Sequence, residues 1–489
     1  MTPYRTKNPP VTESRAHLIS RLADLLGPKG LLTESDAIAP YTRDWRSLFE
    51  GPALAVLRPA STEELCAALG HIARHPERIN LVPQGGNTGL CGGATPLPAG
   101  RQSAPEMIVS LERMRAVAPV DRTDGTLLAE AGVTLAAAQD AAAAAGMVLP
   151  LSIASEGSAQ IGGIVATNAG GSKALRYGSA RELVAGLEAV LVDGTRLDLL
   201  RSLRKDNTGY ALRQLLVGSE GTLAFITRAR LRLRPALSRR EVAFCALPDA
   251  AAVIRLFDLF QSRAGDVLEA FEFIAGAAMD VALAHLDGLT FPLAEPAAAY
   301  VLVELAGQET TLRETMESVL EAALDGDIVT DAVLGDSEAR KAALWKLREE
   351  QSEAQRLAGA SIKHDISVPV PSVPELIDRA TAACRALLPG VRVCPFGHVG
   401  DGNIHFNLVQ PEGMDPAAFL REGEAMTDAI HDVVHALGGS FSAEHGVGQL
   451  KTEMMESWRG GAELALMRRI KAAFDPDGRL NPGKVLPLD

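Results

Sequence analysis

At roughly 100–200 residues per domain, a chain of 489 residues has room for two to four domains, each with its own core. Its 47% apolar, 22% charged and 4% aromatic content argues against a disordered or collagen-like protein. The 48 Lys and Arg against 61 Asp and Glu leave a formal charge of −13, a field that repels phosphate backbones and anionic lipid. Nucleic acid and membrane are therefore disfavoured as main partners, while a few buried cations can still capture one small carboxylate. The cysteines (66, 91, 245, 384 and 394) are odd in number and form no CxxC pair. This fits reduced thiols in a cytosolic protein better than a disulfide framework or zinc ribbon. Residues 1–15, MTPYRTKNPPVTESR, lack the apolar core of a secretory signal. The most apolar stretch, 136–153, is broken by Gln139, Asp140, Gly146 and Pro150, so no membrane span is expected and the protein is read as cytoplasmic.

Taken in order, the spacing predicts a helix over 14–26, ended by Gly27-Pro28, and a second from Ser61 to about His75, with Ser61 and Glu64 as a capping box. Strand-type runs follow at 107–111, 186–191, 222–227 and 230–233, alternating with Gly-rich loops. Beyond about 242, runs at 242–246, 268–273, 300–305 and 328–333 alternate with helical patterns at 249–263 and 310–324. That alternation predicts a second α/β layer domain, an antiparallel or mixed sheet with helices on one face. One long helix is expected over 337–357, and a helix followed by a turn over 449–478.

Three glycine clusters stand out: PQGGNTGLCGG from Pro83, GGIVATNAGG from Gly162, and GSEGT from Gly218. Glycine admits positive φ and close backbone approach, so successive N–H groups can face one concavity and hold a pyrophosphate. Tight strand-joining turns are the alternative for any single cluster. No GxGxxG occurs, which disfavours a Rossmann site. The P-loop-like Gly478–Lys484 segment lacks both the Ser/Thr and the following helix that a phosphate site needs.

The strings PQGGNTGLCGG, IGGIVATNAGGSKALRYG, LLVGSEGTLAFIT and LNPGKVLP together resemble the vanillyl-alcohol oxidase/p-cresol methylhydroxylase flavoprotein superfamily, in order and over nearly the whole chain. The resemblance implies an α+β fold. An FAD-binding domain would span 1–235 (N-terminal helices, then the core), a cap or substrate domain 236–440, and a C-terminal segment, 441–489, would return to the FAD. It implies flavin contacts from Pro83, Gly85, Gly86, Asn87, Thr88, Gly89, Gly157, Ser158, Gly163, Thr167, Gly170, Gly171, Glu220, Ile226 and Asn481. The first loop has no His for a covalent tether, so FAD is expected to bind non-covalently; Cys91 is the other nucleophile there.

Two short motifs carry candidate metal ligands. In FGHVGDGNIHFN the GDGN turn folds one strand back on another, so that His398 and His405 converge, with His405 and Asn407 on one face of the second strand. SAEHGVG adds Glu444 and His445. Two His and one carboxylate make a divalent-metal site with an open position, Zn²⁺ or Mn²⁺; hydrogen-bonded structural His is the other reading. HExxH is absent, against a zincin protease. HVGDGNIHFN followed by AEHGVG resembles the metal-dependent D-2-hydroxyacid dehydrogenases. That resemblance implies His398, His405 and Glu444 as ligands, His445 as proton acceptor and Asn407 as a substrate contact.

A hydroxy acid needs a cation for its carboxylate. Trp345, Arg348 and Ser352 fall at helical offsets 0, 3 and 7, and Lys363 and Asp365 share one face of a strand over 361–366, with His364 structural on the other. Ordinary surface charge is the alternative. The same resemblance implies Arg348, Ser352 and Lys363 as substrate contacts, with Ser352 where Thr is usual. The resulting expectation is FAD- and metal-dependent oxidation of a D-2-hydroxy acid by hydride transfer to flavin N5. D-2-hydroxyglutarate comes first as substrate, then D-lactate, D-malate or glycolate. An electron-transfer flavoprotein or quinone would accept the electrons, and a homodimer would be the assembly. A non-redox flavoenzyme of the alkyl-glycerone-phosphate synthase type is the alternative.

Overall fold

A computed structural model of the chain describes residues 14–488, so the reading of residues 1–15 falls, apart from Ser14 and Arg15, outside the described residues. The chain divides into two compact units. The first takes the chain up to Ala169, Ser179–Pro235 and everything from His445 on; the second takes Gly170–Gly178 and Ala236–Glu444.

In the first unit, the helix Arg15–Leu26 is capped by the Ser14 hydroxyl, which accepts from His17 N, and it stops at Gly27 with φ 69°. The helix Thr62–Ala73 starts at Ser61, whose Oγ accepts from Glu64 N. The Glu64 carboxylate reaches back to the N–H of Ala60, one residue before the usual capping-box partner. Leu18, Leu22, Leu65, Leu69 and Ile72 from these helices bury against Leu57, Leu81, Met107 and Val109. The latter belong to a four-stranded sheet in the order Leu31–Leu32, Ala55–Leu57, Glu106–Ser110, Asn80–Gln84, whose first pairing is antiparallel and whose others are parallel.

A second four-stranded sheet in this unit is wholly antiparallel: Thr126–Glu130, Phe225–Arg232, Val184–Val190, Arg196–Leu199. The two runs expected at 222–227 and 230–233 are one strand, Phe225–Arg232. Arg228-Ala229 offers nothing that turns a chain, and Thr222 belongs instead to the preceding turn, its hydroxyl donating to Ser219 O. The C-terminal helix is also corrected: Met455–Arg459 and Ala462–Phe474 are separate, interrupted at Gly460 and at Gly461, which sits at φ 68°. Beyond them Leu480 bridges alongside Leu81, so the tail lies beside the strand that leads into the first glycine loop. Lys484 is buried with Glu106 as its charge neighbour, a core cation rather than a phosphate ligand.

The second unit is built on a seven-stranded antiparallel sheet in the order Asp331–Leu334, Arg239–Leu247, Ala299–Gly307, Leu268–Ala275, Phe396–Gly397, Asn403–His405, Asp365–Ser367. Helices cover both faces, not one as expected. Gly276–His285 and Glu338–Glu349 pack their Met279, Ala282, Leu344 and Leu347 with Val242, Phe244, Tyr300 and Leu302. On the other face, Phe257 and Phe260 of Ala250–Ala264 meet the ring of Phe271. The strand Ala299–Gly307 is therefore buried at every position and reads as a continuous apolar run.

Two further expectations change. The helix over 337–357 breaks at Glu350 into Glu338–Glu349 and Gln351–Leu357. The strand over 361–366 is two strands: Ser361–Ile362 lies in a three-stranded sheet with Leu408–Val409 and Arg392–Val393, while Asp365–Ser367 edges the large sheet. No helix among the described residues is long and apolar enough to cross a membrane.

Candidate functional site

All three glycine clusters open onto one cavity of the first unit. Gly85, Gly86, Asn87, Thr88 and Gly89 line it from the first loop, Gly163 and Thr167 from the helix Ile161–Thr167, and Glu220 and Gly221 from the third, with Pro83, Ile226 and His445 completing the wall. The first loop leaves its strand at Gln84, whose amide Nε2 donates to Tyr41 O at 2.9 Å and Ala94 O at 2.8 Å and so closes the loop at its base. Asn87 holds the left-handed conformation at φ 51° and donates Nδ2 to Arg43 O at 2.8 Å. Gly86 has no room for a side chain, since a β-carbon would fall 2.0 Å from Ser158 O. Gly89 and Gly163 are the converse: a β-carbon there meets nothing within 4 Å and would project into open space. The N–H groups of Ile161 and Gly162 bond to Val133 O and Ala131 O. A groove with glycine backbone on three sides suits a pyrophosphate and a flat ring system, and that is the fit FAD requires.

Other expected flavin contacts lie elsewhere. Asn481, buried at φ 48°, donates Nδ2 to Gly93 O at 3.0 Å and Glu220 O at 2.9 Å, clasping the first loop to the third. Ser158 backs Gly86 through its carbonyl, and Gly157 has no neighbour within 4 Å of a built β-carbon. Gly170 and Gly171 belong to the second unit, where Gly171 N donates to Glu444 Oε1 at 2.6 Å. Cys91 lines the cavity and donates its thiol to Gly446 O at 3.4 Å.

Glu220 was expected at the flavin, and it has a second task that sequence reasoning missed. Its carboxylate accepts the N–H groups of Val447 and Gly448, both at 2.7 Å, and thereby fixes the segment that begins with His445. Burial pushes its carboxyl up, and the two N–H bonds oppose that.

In the second unit His398, His405 and Glu444 converge: one ligand atom from each lies within 4.8 Å of the others. His398 follows the strand Phe396–Gly397, and the one-turn 3₁₀ segment Val399–Asp401 with Gly402 at φ 82° brings the chain back to Asn403–His405. The two imidazoles sit 5.6 Å apart at 78°. His398 gives Nδ1–H to Glu272 Oε1 at 2.7 Å, which turns Nε2 toward Glu444 Oε2, 4.0 Å away. Glu444 is steadied from both ends, its Oε1 by Gly171 N and its own N–H by Asp365 Oδ2 at 2.8 Å. Asp365 Oδ1 also lies 3.8 Å from His405 Nδ1. Two imidazoles and a carboxylate, with His398 braced by Glu272 and Glu444 by the Gly171 N–H, form a donor set that fits a divalent cation.

Glu272 is the residue that sequence reasoning missed most clearly. It is buried in Leu268–Ala275, and its second oxygen accepts Arg348 Nε at 2.7 Å. Burial works against its ionisation, but His398 and Arg348 hold its carboxyl down to about 2. His398 in turn, despite burial, is raised to about 9 by Glu272. The signal was present in LEAFEFIA: a carboxylate at the centre of an apolar strand requires a buried partner.

Arg348 is buried, its guanidinium 4.9 Å from the Phe396 ring centroid, and among the described residues no hydrogen bond takes up its two Nη groups. Ser352 and Lys363, expected beside it, are exposed; the helix breaks at Glu350 and the strand breaks at Lys363-His364. Asn407 does not share a strand face with His405, since Asn403–His405 ends before it. Its Nδ2 donates to Gln355 at 2.8 Å and its Oδ1 accepts His364 N at 3.3 Å. His364 is held between Phe406 O and Thr427, as a structural residue would be.

Residues 53–200 match the FAD binding domain family, and residues 236–485 match the C-terminal domain of FAD linked oxidases. Similar curated proteins include the mitochondrial D-2-hydroxyglutarate dehydrogenases of Arabidopsis thaliana (35% identical, covering 98% of this chain and 83% of that one) and Bos taurus (39%, 94% and 82%). The D-2-hydroxyglutarate dehydrogenase of Xanthomonas citri pv. viticola is 37% identical, covering 93% of this chain and 94% of its own. Among solved structures, p-cresol methylhydroxylase matches with a TM-score of 0.74 at 18% identity, covering 96% of this chain and 97% of its own. Alkyldihydroxyacetonephosphate synthase matches at 0.72 and 16%, covering 97% and 86%. These likenesses show the fold. With both domains matched and relatives this similar over at least four-fifths of their length, the chain belongs to the FAD-linked oxidase family that includes the D-2-hydroxyglutarate dehydrogenases, and it is an FAD-dependent oxidoreductase.

Proposed function

We propose that the protein oxidises a D-2-hydroxy acid to the 2-oxo acid, with D-2-hydroxyglutarate the first substrate and D-lactate, D-malate or glycolate next. The observation that carries this reading is the second-unit cluster. A three-ligand set suited to a divalent cation stands one shared carboxylate away from an arginine whose Nη groups make no hydrogen bond among the described residues. A hydroxy acid presents an oxygen for the one and a carboxylate for the other.

When bound, FAD supplies a two-electron acceptor, and a divalent cation such as Zn²⁺ or Mn²⁺ supplies Lewis acidity at the substrate hydroxyl. His398, His405 and Glu444 hold the cation. Arg348 docks a carboxylate through its Nη fork, and Lys363, Ser352 and Asn407 remain the proposed further contacts. Neutral His445 takes the hydroxyl proton at a ring nitrogen. Glu220 keeps His445 in place through the N–H groups of Val447 and Gly448. The glycine loops hold FAD without a covalent bond, and its electrons leave to an electron-transfer flavoprotein or a quinone. The free thiols support the cytoplasmic reading, although the Arabidopsis thaliana and Bos taurus relatives are both named mitochondrial. The relatives' names favour dehydrogenation over the alkyl-glycerone-phosphate synthase reaction.

The test is turnover of D-2-hydroxyglutarate with an artificial electron acceptor, before and after chelation. Chelation should abolish turnover while leaving flavin absorbance intact, and added Zn²⁺ or Mn²⁺ should restore it. Undiminished turnover in the metal-free protein would refute the metal assignment.

A further inference from the structure

Glu272 is not a ligand of the candidate metal cluster, yet its two oxygens are divided between that cluster and the candidate carboxylate site. Oε1 accepts His398 Nδ1–H at 2.7 Å, and Oε2 accepts Arg348 Nε–H at 2.7 Å. The residue is 1% exposed and sits in the middle of Leu268–Ala275, whose neighbours on both sides are paired strands. Its side chain has no freedom to follow either partner. The two partners come from different elements, His398 from the turn after Phe396–Gly397 and Arg348 from the helix Glu338–Glu349, and this carboxylate is the bond that ties them. Phe396, beneath the Arg348 guanidinium at 4.9 Å and beside the His405 ring at 5.1 Å, limits how far either can swing.

We propose that Glu272 is a positioning residue that yokes Arg348 to His398, setting the separation between the cation that takes the substrate carboxylate and the ligand set that takes its hydroxyl. This rests on the function proposed above. Holding the imidazole by Nδ1 presents Nε2 to the metal, and holding the guanidinium by Nε turns both Nη groups outward as a fork. A single buried carboxylate therefore governs both metal affinity and carboxylate affinity, two properties that would otherwise respond to separate substitutions.

Glu272→Gln keeps the volume but has no charge and a single acceptor oxygen for two donors, so neither partner is held as the carboxylate holds it. Zinc affinity of the metal-free enzyme, measured by competition with a chromophoric chelator, should weaken about 10- to 100-fold. In the zinc-saturated enzyme, KM for D-2-hydroxyglutarate should rise by about 10-fold or more, with a smaller change in kcat. Flavin content, which reports on the first unit, should be unchanged. Should Glu272→Gln not fold, Glu272→Asp, shorter by one methylene and still charged, is read in the same way. Wild-type zinc affinity and KM in either variant would overturn the inference, as would loss of only one of the two. His398→Ala separates the readings: if it abolishes zinc binding while Glu272→Gln is silent, only the yoke is wrong. If His398→Ala binds zinc normally, the metal assignment falls with it.

Discussion

Gly170 shows how much a single hydrogen decides at this site. A β-carbon there would lie 2.6 Å from Glu444 Oε1, the oxygen that Gly171 N already holds. Gly170→Ala should therefore push the carboxylate off its seat without straining the backbone, since the residue does not occupy the left-handed region. The expected result is a roughly tenfold loss of zinc affinity with flavin binding intact. A zinc titration at wild-type affinity would show that Glu444 needs no such seat. The family resemblance implied a flavin contact for this glycine; glycine spacing alone cannot tell which ligand a close approach serves. The same limit applies to Arg348: its residue type announced a carboxylate partner, but the buried Glu272 that anchors it comes from 76 positions away.

At the scale of elements, the parts legible from sequence were those whose physics is local. Ser14, Ser61 and Asp249 each announced a helix start and each caps one. The GDGN turn brought its two histidines together because Gly402 can take φ 82°. What failed was periodicity carried across an interruption with no obvious breaker. Glu350 divides the helix that was meant to place Arg348 and Ser352 on one face, and Lys363-His364 divides the strand between two sheets. Helices on both faces of the large sheet were equally hidden, since a strand buried on both sides loses the alternation that would reveal its orientation.

The antiparallel sheet of the first unit carries its own testable element. Glu188, buried on Val184–Val190, accepts Thr62 Oγ1 at 2.7 Å, Thr227 Oγ1 at 2.8 Å and both Nε and Nη2 of Arg228, its cross-strand partner. Burial alone would raise its carboxyl, yet these bonds hold it down to about 2 against an ordinary 4.5. The folded state thus favours the ionised form. That stabilisation is complete above about 4.5 and is lost as the pH falls from there toward 2. Glu188→Gln should cost about 3 kcal/mol at neutral pH, because Arg228 keeps its charge and loses its partner. It should also flatten the acid limb of the stability curve. Thermal unfolding against pH checks both, and an acid limb identical to wild type would deny Glu188 this role.

Across the whole molecule, the −13 balance and the 45 glycines say little as totals and much through placement. Under the proposed function, an acidic chain serves an anionic substrate through one buried cation, Arg348, held by a carboxylate that also holds a candidate metal ligand. Three glycine clusters scattered over about 140 positions matter because they line one cavity. The central claim joins these features: FAD in that cavity takes two electrons from a D-2-hydroxy acid. Anaerobic mixing of the FAD-loaded, metal-replete protein with excess D-2-hydroxyglutarate, followed by flavin absorbance and assay of the product, tests it most directly. The oxidised flavin band should bleach, with one 2-oxoglutarate formed per flavin. A band that persists with D-2-hydroxyglutarate, D-lactate, D-malate and glycolate alike would contradict the account.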